Sequence, residues 1–317
     1  MNATTRFQKN VTHDTDETEF PDDTLGRRVE DANAVTRDAS LRARFAALHA
    51  DARTVRTPLI SVDQLDEKSL LDLVLGNTLA VEWNSFIFPS NALQIADKLL
   101  AASTWGRYET AGADGIEING RALFECGGNR KCPDYFEKAL PSRRAVRRLL
   151  SPLTCPIDAM QAALDECWRP GARVLTLNGQ KCHVGLQRCF REGGEALHHN
   201  DRARIDFAHA KTACMQFQIA LNTYLSVAAG GELELWNLAP PDDLYDAARY
   251  PTGTTYAVRG ELLPPPDLTI RPTAGSFILF NAGKLHRVRP VLGDGARVTV
   301  SAFAGFSGLD QPLELFS

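Results

Sequence analysis

The chain has 317 residues, of which 44% are hydrophobic, and its formal net charge is −4 with a pI near 6.0. This length and apolar content are sufficient for one large core, so we expect one integrated domain. The charge provides no overall basic field, so neither nucleic acid nor a membrane is predicted as a partner. No stretch is apolar enough for a signal peptide or a membrane span, which predicts a soluble cytoplasmic protein.

Seven cysteines are scattered along the chain rather than concentrated in a short framework, which predicts reduced thiols. Cys126 and Cys132 enclose the sequence GGNRK, but they lack the CxxC spacing and the nearby histidines of a structural zinc site. We interpret them as ordinary thiols in a loop.

The first half of the chain predicts helices. Residues 1–36 are polar and charge-rich, so we expect a mobile segment. Residues 37–170 predict a helical scaffold with one early strand, because Ala-, Leu- and Arg-rich stretches dominate. The predicted helices run from Asp38 to Val55, from Ser61 to about Gly76, after an N-cap at Pro89-Ser90, and twice between Arg143 and Trp168, with a break around Pro152 and Pro156; the predicted strand begins at Leu79.

Residues 171–317 predict an all-β core, because short β-branched or alternating runs replace the helical pattern. Many strands without intervening helices favour a sandwich or jelly roll over a parallel sheet. The segment 240–272 is rich in Pro, Asp and Tyr and predicts a lid, with Tyr245, Tyr250 and Tyr256 as sources of substrate contacts. The predicted strands are Val174–Leu177, Val184–Phe190, Met215–Leu225, Glu232–Trp236, Phe277–Phe280 and Val298–Phe306.

A metal site is predicted from two histidines and one carboxylate. His199 and Asp201 stand at i and i+2 near a strand end, where both side chains can point to one side. His286 follows the apolar strand Phe277–Phe280 and a short turn. Together these three residues would form a facial triad, which occupies three positions of Fe(II) and leaves three open.

A carboxylate site is predicted eleven residues after His286. Arg297 and Thr299 share one face of a strand by the period of two. A buried arginine pairs bidentately with a carboxylate, so these two residues can hold the distal carboxylate of a keto acid whose other end chelates the metal.

In this order, the motifs resemble those of the Fe(II)/2-oxoglutarate oxygenase superfamily, over roughly residues 174–306. The sequence RCFREGGEALHHND from Arg188, the AGGEL at Ala229, the GSFILFNAG at Gly275 and the HRV at His286 are similar to its small-molecule branch. That branch includes the carrier-independent halogenases of indole-alkaloid pathways and the hydroxylases of free or acylated amino acids.

The resemblance implies an α+β fold whose mainly β core is a double-stranded β-helix of the jelly-roll or cupin type, with the N-terminal helices packed on it. It implies Fe(II) and 2-oxoglutarate as cofactors, with ascorbate as a supporting reductant, and O2 and a small molecule as the other reactants. Arg188, Asn222 and Trp236 lie on predicted core strands, where inward-facing polar atoms must be satisfied, so contacts with 2-oxoglutarate or substrate are predicted for them, with structural hydrogen bonds as the alternative.

One departure from the halogenases favours hydroxylation of an unactivated C–H bond, with succinate and CO2 as co-products. The related halogenases carry Gly at the position of Asp201, and the missing carboxylate vacates an iron position for chloride. Desaturation, cyclisation and halogenation are the alternative reactions. His198 and Asn200 could form a shifted ligand pair, but Asn is the poorer ligand for Fe(II), so we predict His198 in a supporting position or in the substrate pocket.

Three other classes of function are open from the sequence. One is a jelly-roll binding protein with a non-catalytic metal site. Another is a nucleic-acid or protein demethylase of the same superfamily, for which a basic surface with interleaved aromatic residues is expected. The last is a zinc hydrolase, in which Arg297 and Thr299 would have no task.

Overall fold

The computed structural model describes residues 23–102, 104–108, 115–126, 133–207, 209–251 and 256–317, and the chain divides into two units, 1–40 and 41–317. In the first unit, residues 23–40 form the beginning of helix α1 (Asp23–Asp51). Residues 1–22 of the predicted mobile segment lie outside the described residues. From Asp23 the chain is helical, so the helix starts earlier than the predicted Asp38.

Four longer helices follow α1 before residue 170. They are α2 (Glu67–Val74), α3 (Pro89–Leu100), α4 (Pro133–Leu150) and α5 (Pro156–Cys167). Asp66 caps α2, because its side chain accepts a hydrogen bond from the Ser69 backbone. The predicted cap of α3 is wrong, since Phe88 is the N-cap and Pro89 is the first helical residue. The break between α4 and α5 lies at the prolines where the sequence predicts it.

The remaining elements are short helices and seventeen strands in the described part of the chain. The helices are α6 (Ala203–Asp206), α7 (Ala210–Ala213), α8 (Asp242–Ala247) and the 3-10 turns η1 (Leu123–Cys126) and η2 (Gly260–Leu262). The strands are β1 (Leu59–Val62), β2 (Ala80–Trp83), β3 (Ile116–Asn119), β4 (Ala172–Val174), β5 (Thr176–Leu177), β6 (Gln180–Lys181), β7 (Leu186–Phe190), β8 (Ala196–His199), β9 (Phe217–Ser226), β10 (Ala229–Gly230), β11 (Leu233–Leu235), β12 (Leu268–Ile270), β13 (Phe277–Asn281), β14 (His286–Val288), β15 (Val291–Leu292), β16 (Arg297–Phe306) and β17 (Leu313–Phe316).

Two sheets make up the β core. The major sheet has nine strands, with β1, β2, β13, β9, β16, β17 and β4 in order and with β7 and β3 joined to β16. The minor sheet has four antiparallel strands in the order β12, β11, β14, β8. Successive strands β13 and β14 belong to different sheets, as do β7 and β8, so the chain alternates between the sheets. This arrangement is a double-stranded β-helix, and it confirms the predicted fold class.

The major sheet buries both of its faces. Along β9, Ile219 and Leu221 point to one face and Ala220 and Tyr224 to the other, as the period of two requires. The first face packs against apolar residues of α2 to α5, among them the fully buried Leu99. The second face packs against β11 and β12 of the minor sheet. The helices therefore support one face, and the space between the sheets is left for a cavity.

The segment 240–272 is more ordered than a long loop. It contains α8, η2 and β12, and β12 pairs with β11 in the minor sheet. The Tyr245 hydroxyl donates a hydrogen bond of 2.6 Å to the Tyr256 carbonyl, which ties two parts of the segment together. Residues 252–255 of the predicted lid lie outside the described residues, and closure stays a prediction.

The structure also bears on the expectations about membrane-spanning helices and disulfides. Among the described residues, no helix combines the length and the apolar character needed to cross a membrane. No disulfide joins the six cysteines in the described part of the chain, and Cys132, the end of the predicted loop, lies outside it.

Candidate metal centre

The predicted metal ligands come together at one end of the minor sheet. Strands β8 and β14 are antiparallel neighbours, and His199 lies directly opposite His286 in their register. Their ring centroids are 4.3 Å apart. Asp201 follows β8, and its backbone N–H donates a 2.8 Å hydrogen bond to the Ala282 carbonyl, in the turn before β14. The HxD spacing thus places a carboxylate beside a histidine pair that the sheet register creates.

The three side chains offer donor atoms at metal-binding distances. Asp201 Oδ2 is 3.3 Å from His286 Nε2 and 4.0 Å from His199 Nε2, and the donor atoms all lie within 4.8 Å of one another. His199 Nδ1 is 2.6 Å from the Leu197 carbonyl, and His286 Nδ1 is 2.9 Å from the Lys284 carbonyl. These carbonyls favour N–H at both Nδ1 atoms, so both Nε2 lone pairs face the carboxylate.

The pKa values of His199 and Asp201 also suit metal binding. Burial and the nearby His286 lower the pKa of His199 to about 4, so its ring is neutral near pH 7. Burial alone would raise the pKa of Asp201, but its hydrogen bond with His286 and the charges around it hold that pKa below its usual value. Two histidines and one carboxylate on one face fit the open coordination set of non-haem Fe(II).

A cavity of about 330 Å³ opens from these ligands between the sheets. Both ends of its wall are polar, and aromatic side chains lie between them. A volume of this size accommodates small metabolites rather than a macromolecule. Besides the three ligands, its lining includes Tyr108, Phe124, Arg188, Asn222, Tyr224, Tyr245, Arg249, Tyr256, Arg297, Thr299 and Ser301.

Arg297 forms the cationic end of the cavity. Its side chain is 5% exposed, and its guanidinium lies 4.6 Å from the Phe190 ring centroid and 4.9 Å from that of Tyr224. Nη2 reaches the Tyr224 hydroxyl at 3.4 Å, whereas Nε has no hydrogen-bond partner. Among the described residues, no carboxylate pairs with Arg297. A buried, unpaired guanidinium beside a metal set fits the distal carboxylate of a dicarboxylic keto acid.

Polar side chains continue from Arg297 along the floor of the cavity. Thr299 and Ser301 are neighbours on β16, and Ser301 Oγ donates to Asn222 Oδ1 at 2.7 Å. Thr299 Oγ1 is 3.4 Å from Ser301 Oγ. The structure therefore brings the predicted residues Arg297, Thr299 and Asn222 into one wall.

Position 231 requires glycine because a side chain there would collide with Arg297. Its φ is +68°, and a Cβ on it would meet Arg297 Cδ at 2.9 Å. The sequence predicts a tight turn at Gly230-Gly231, and the structure adds a close approach of backbone to the arginine stem.

Two residues predicted near the site lie elsewhere. His198 points to the opposite face of β8 from His199, because neighbouring residues of a strand alternate. It packs against Trp236 at 5.2 Å, and the Trp236 indole N–H donates to the Pro264 carbonyl at 2.7 Å. Neither residue lines the cavity. Tyr250 also lies outside the lining, unlike Tyr245 and Tyr256.

Among the lining residues that the sequence analysis missed, four bear on the site's chemistry or cover it. Tyr224 and Ser301 each lie two positions from a predicted residue, so the period of two along β9 and β16 could have identified them. Tyr108 and Phe124 come from the region before the core, where no motif marks them. Their rings are 5.6 Å apart and cover the outer side of the cavity.

Comparison with known proteins supports this geometry. Residues 86–317 match the family model described as carrier-protein-independent halogenase WelO5. A curated relative, the L-gamma-glutamyl-L-propargylglycine hydroxylase of Streptantibioticus cattleyicolor, is 27% identical over 152 residues. That match covers 47% of this chain and 54% of the relative, so it spans about half of the relative's length.

Solved structures share the fold. An N-substituted L-amino acid dioxygenase from Burkholderia ambifaria superposes with a TM-score of 0.52 at 16% identity, over 79% of this chain and 90% of that one. Its complex with 2-oxoglutarate gives the same TM-score at 15% identity and the same coverage. Since the family model spans most of this chain, including all three ligands, the chain belongs to the carrier-protein-independent halogenase WelO5 family of Fe(II)- and 2-oxoglutarate-dependent oxygenases.

Proposed function

We propose that this enzyme hydroxylates an unactivated C–H bond of a small molecule, an amino-acid derivative or specialised metabolite, and releases succinate and CO2. The observation that carries the proposal is Asp201, whose carboxylate lies 3.3 Å from His286 Nε2 and fills the third protein position of the ligand set. A halogenase needs that position for a halide. The family name therefore describes a reaction that this ligand set disfavours.

In this proposal, His199, Asp201 and His286 hold Fe(II). The bound metal and 2-oxoglutarate supply the oxygen activation that breaks the substrate C–H bond. The protein aims both Nε2 atoms at one point through the Leu197 and Lys284 carbonyls. Such outer contacts typically account for about 10- to 100-fold in metal affinity.

Arg297 holds the distal carboxylate of 2-oxoglutarate, with Thr299 and Asn222 beside it. The guanidinium has Nε available, and the Asn222 carbonyl is engaged by Ser301, which leaves the Asn222 amide N–H groups to donate into the cavity. The sequence predicts Arg188 as a further 2-oxoglutarate contact. Its position and charge suit another partner, which is argued below.

The remaining walls position the substrate and exclude water. Tyr245 and Tyr256 come from the segment 240–272, and Tyr108 and Phe124 come from the region before the core. Placement decides between hydroxylation, desaturation and cyclisation, because a shift of about 1 Å changes which atom reacts. The curated relative acts, by its name, on an acylated amino acid, which supports an amino-acid derivative as the substrate here.

Halogenation is the second candidate, because the family model carries that description. The two reactions are separated by product mass under 18O2 in chloride-containing buffer. We expect the wild-type product to gain one labelled oxygen and no chlorine, with a substrate found by screening succinate release over free and acylated amino acids. Chlorinated product from the wild-type enzyme would overturn the proposal.

Two neighbouring variants make the assay specific. Asp201→Gly removes the carboxylate, and we expect more than about 100-fold loss of hydroxylation. Asn200→Gly is the matched control, because Asn200 adjoins the ligands but its amide reaches only the Gly283 carbonyl, at 3.5 Å. If Asn200→Gly abolished Fe(II) binding while Asp201→Gly did not, the shifted ligand pair would replace the assigned set.

A further inference from the structure

Arg188 is a second cavity arginine, distinct in position from Arg297. It lies on β7, in register with Thr299 of β16 on one side and Ile118 of β3 on the other. Its Nε donates a 2.6 Å hydrogen bond to the Tyr108 hydroxyl. The side chain lines the cavity on the side covered by Tyr108 and Phe124. Arg188 thus faces the outer half of the cavity, where the substrate enters the proposed reaction.

No protein carboxylate is dedicated to Arg188 in the described part of the chain. Burial lowers the pKa of Arg188, but Tyr108 and Asp201 raise it on balance, and Asp201 is the one carboxylate whose charge contributes. Burial raises the pKa of Tyr108, so the phenol stays neutral and supplies a hydrogen bond without a charge. The guanidinium therefore stays charged and has only a metal ligand as its anionic neighbour.

The other cations of the outer wall are already paired. Arg249 forms a 2.9 Å ion pair with Asp246, and Arg202 pairs with Asp242. Each pair contributes no net charge to the cavity. Arg188 differs from both, because its Nη nitrogens are left to donate to a ligand.

A charge count over the loaded site leaves Arg188 uncompensated. The two positive charges of Fe(II) are offset by Asp201 and by the keto-acid carboxylate of 2-oxoglutarate. The distal carboxylate offsets Arg297. One positive charge, that of Arg188, then remains in the cavity, where an unpaired charge destabilises the site. An additional anionic group would remove this cost.

We propose that Arg188 binds a carboxylate of the substrate, and that Tyr108 is the positioning residue that fixes its guanidinium. The inference rests on the proposed function and narrows it to small carboxylic acids. A small annex of about 20 Å³, lined in part by Phe124, Phe207 and Phe303 and by Asp201, has room for about one methyl-sized group. The substrate class is therefore a small carboxylic acid, and N-acetyl-L-amino acids are suitable probes for it.

The test is equilibrium binding without turnover. Wild-type protein and variants are loaded anaerobically with Fe(II) and 2-oxoglutarate, and calorimetry measures the affinity for N-acetyl-L-amino acids and for their primary carboxamides. We expect the acids to bind at least about tenfold more tightly than the amides. Arg188→Gln should weaken acid binding by about 10- to 100-fold, the value of a charge-assisted hydrogen bond, with little change for the amides.

Two further variants complete the design. Tyr108→Phe keeps the ring and removes the hydroxyl, so a smaller loss of acid affinity is expected. Arg191→Gln is the matched control, because Arg191 lies three residues from Arg188, outside the cavity, and pairs with Glu117 at 3.1 Å. Arg191→Gln should bind both panels as the wild type does.

Either of two results overturns the inference. In one, no acid binds the wild type more tightly than its amide. In the other, Arg188→Gln weakens 2-oxoglutarate binding, followed by its charge-transfer absorption, instead of acid binding; the carboxylate at Arg188 would then be that of 2-oxoglutarate. Failure of the hydroxylase proposal is a separate outcome, in which acids bind through Arg188 but aerobic incubation inserts no oxygen.

Discussion

Two arginines inside the cavity, Arg188 and Arg297, differ from two arginines on the minor sheet outside it in their carboxylate partners. Outside, Arg287 and Arg289 both pair with Glu234, whose side chain is 1% exposed. Inside, Arg297 is 5% exposed and pairs with no carboxylate among the described residues, and Arg188 has only Asp201 nearby. The same residue type is thus ion-paired in the outer set and lacks a dedicated carboxylate in the inner set.

This difference identifies the cavity as a site for anions. A buried cation without a partner destabilises a folded protein, whereas a paired one is close to neutral. Arg188 and Arg297 therefore lower the stability of the free protein, and this cost is offset when an anion binds. Arg287 and Arg289 are ion-paired with Glu234 and carry no such cost. The comparison can be tested with variants of the metal site and of both sets of arginines.

The largest effect is expected at the metal. His286→Ala removes one of three ligands, and we expect Fe(II) affinity and turnover to fall by more than about 100-fold, because loss of outer contacts alone costs about 10- to 100-fold. Metal content after reconstitution measures it. His198→Phe is the control, since His198 lies on the other face of β8 against Trp236. Equal metal loss in both variants would contradict the assignment.

The second effect separates the two arginine classes by sign. Arg297→Met should weaken 2-oxoglutarate binding by about 10- to 100-fold. Without ligand it should stabilise the protein by about 1 kcal/mol, because it removes an unpaired buried charge. Arg287→Met should leave 2-oxoglutarate affinity unchanged and lower the free energy of unfolding by about 1 to 3 kcal/mol, because Glu234 loses one of two partners. Chemical denaturation and ligand titration give both quantities.

The opposite signs expected for the two changes in the free energy of unfolding test the comparison. If both variants destabilised the free protein equally, Arg297 would be a structural residue with a partner that is absent from the described contacts. If Arg297→Met left 2-oxoglutarate affinity unchanged, the distal carboxylate would bind elsewhere. The first result would contradict the distinction between the two sets of arginines. The second would show that the carboxylate of 2-oxoglutarate binds at another position.

The sequence was sufficient to predict that His199, Asp201 and His286 lie together, because local spacing and strand order determine it. The HxD pair depends on the alternation of one strand, and His286 depends on the strand that precedes it. Arg297 and Thr299 follow from the same alternation. The fold class also follows, because the strand-rich half excludes a parallel sheet with crossover helices.

Other parts of the site could not be derived in this way. Tyr108 and Arg188 are 80 residues apart, and their hydrogen bond arises from strand β3 pairing with β7, which no local pattern indicates. The position of His198 has a different origin. It adjoins His199, and alternation along β8 places the two rings on opposite faces, so its absence from the cavity lining could be derived from the sequence. Its supporting role stays a prediction, and the outer wall could not be derived.

A smaller effect concerns a buried histidine outside the cavity. Burial and the charge of Arg143 lower the pKa of His183 to about 4, so the folded protein keeps this ring neutral. Below pH 6.5 the His183 ring becomes protonated in the unfolded chain but stays neutral in the folded chain. Stability should therefore fall as the pH drops from 6.5 toward 4, by about 2 kcal/mol between pH 6.5 and 5 for this residue.

Urea unfolding across this pH range checks the contribution. His183→Gln should remove it, so the wild-type and variant curves should approach each other by about 2 kcal/mol between pH 6.5 and 5. Parallel curves would show that His183 is not held neutral by the fold. The contrast with His199 is instructive, because the metal makes use of the neutral ring of His199, whereas that of His183 only costs stability in acid.

The smallest effect tests whether the segment 240–272 supports the metal strand. The Tyr256 hydroxyl accepts a 3.1 Å hydrogen bond from the Leu197 N–H on β8, and its ring packs against His199 at 5.3 Å. Tyr256→Phe removes one hydrogen bond and should cost about 0.5 to 1.5 kcal/mol of stability. Tyr250→Phe is the matched variant, because Tyr250 belongs to the same segment but lies outside the cavity lining. If the segment supports β8 through Tyr256, Tyr256→Phe should weaken Fe(II) binding while Tyr250→Phe leaves it unchanged; equal metal affinities in the two variants would reduce the segment to a cover over the cavity.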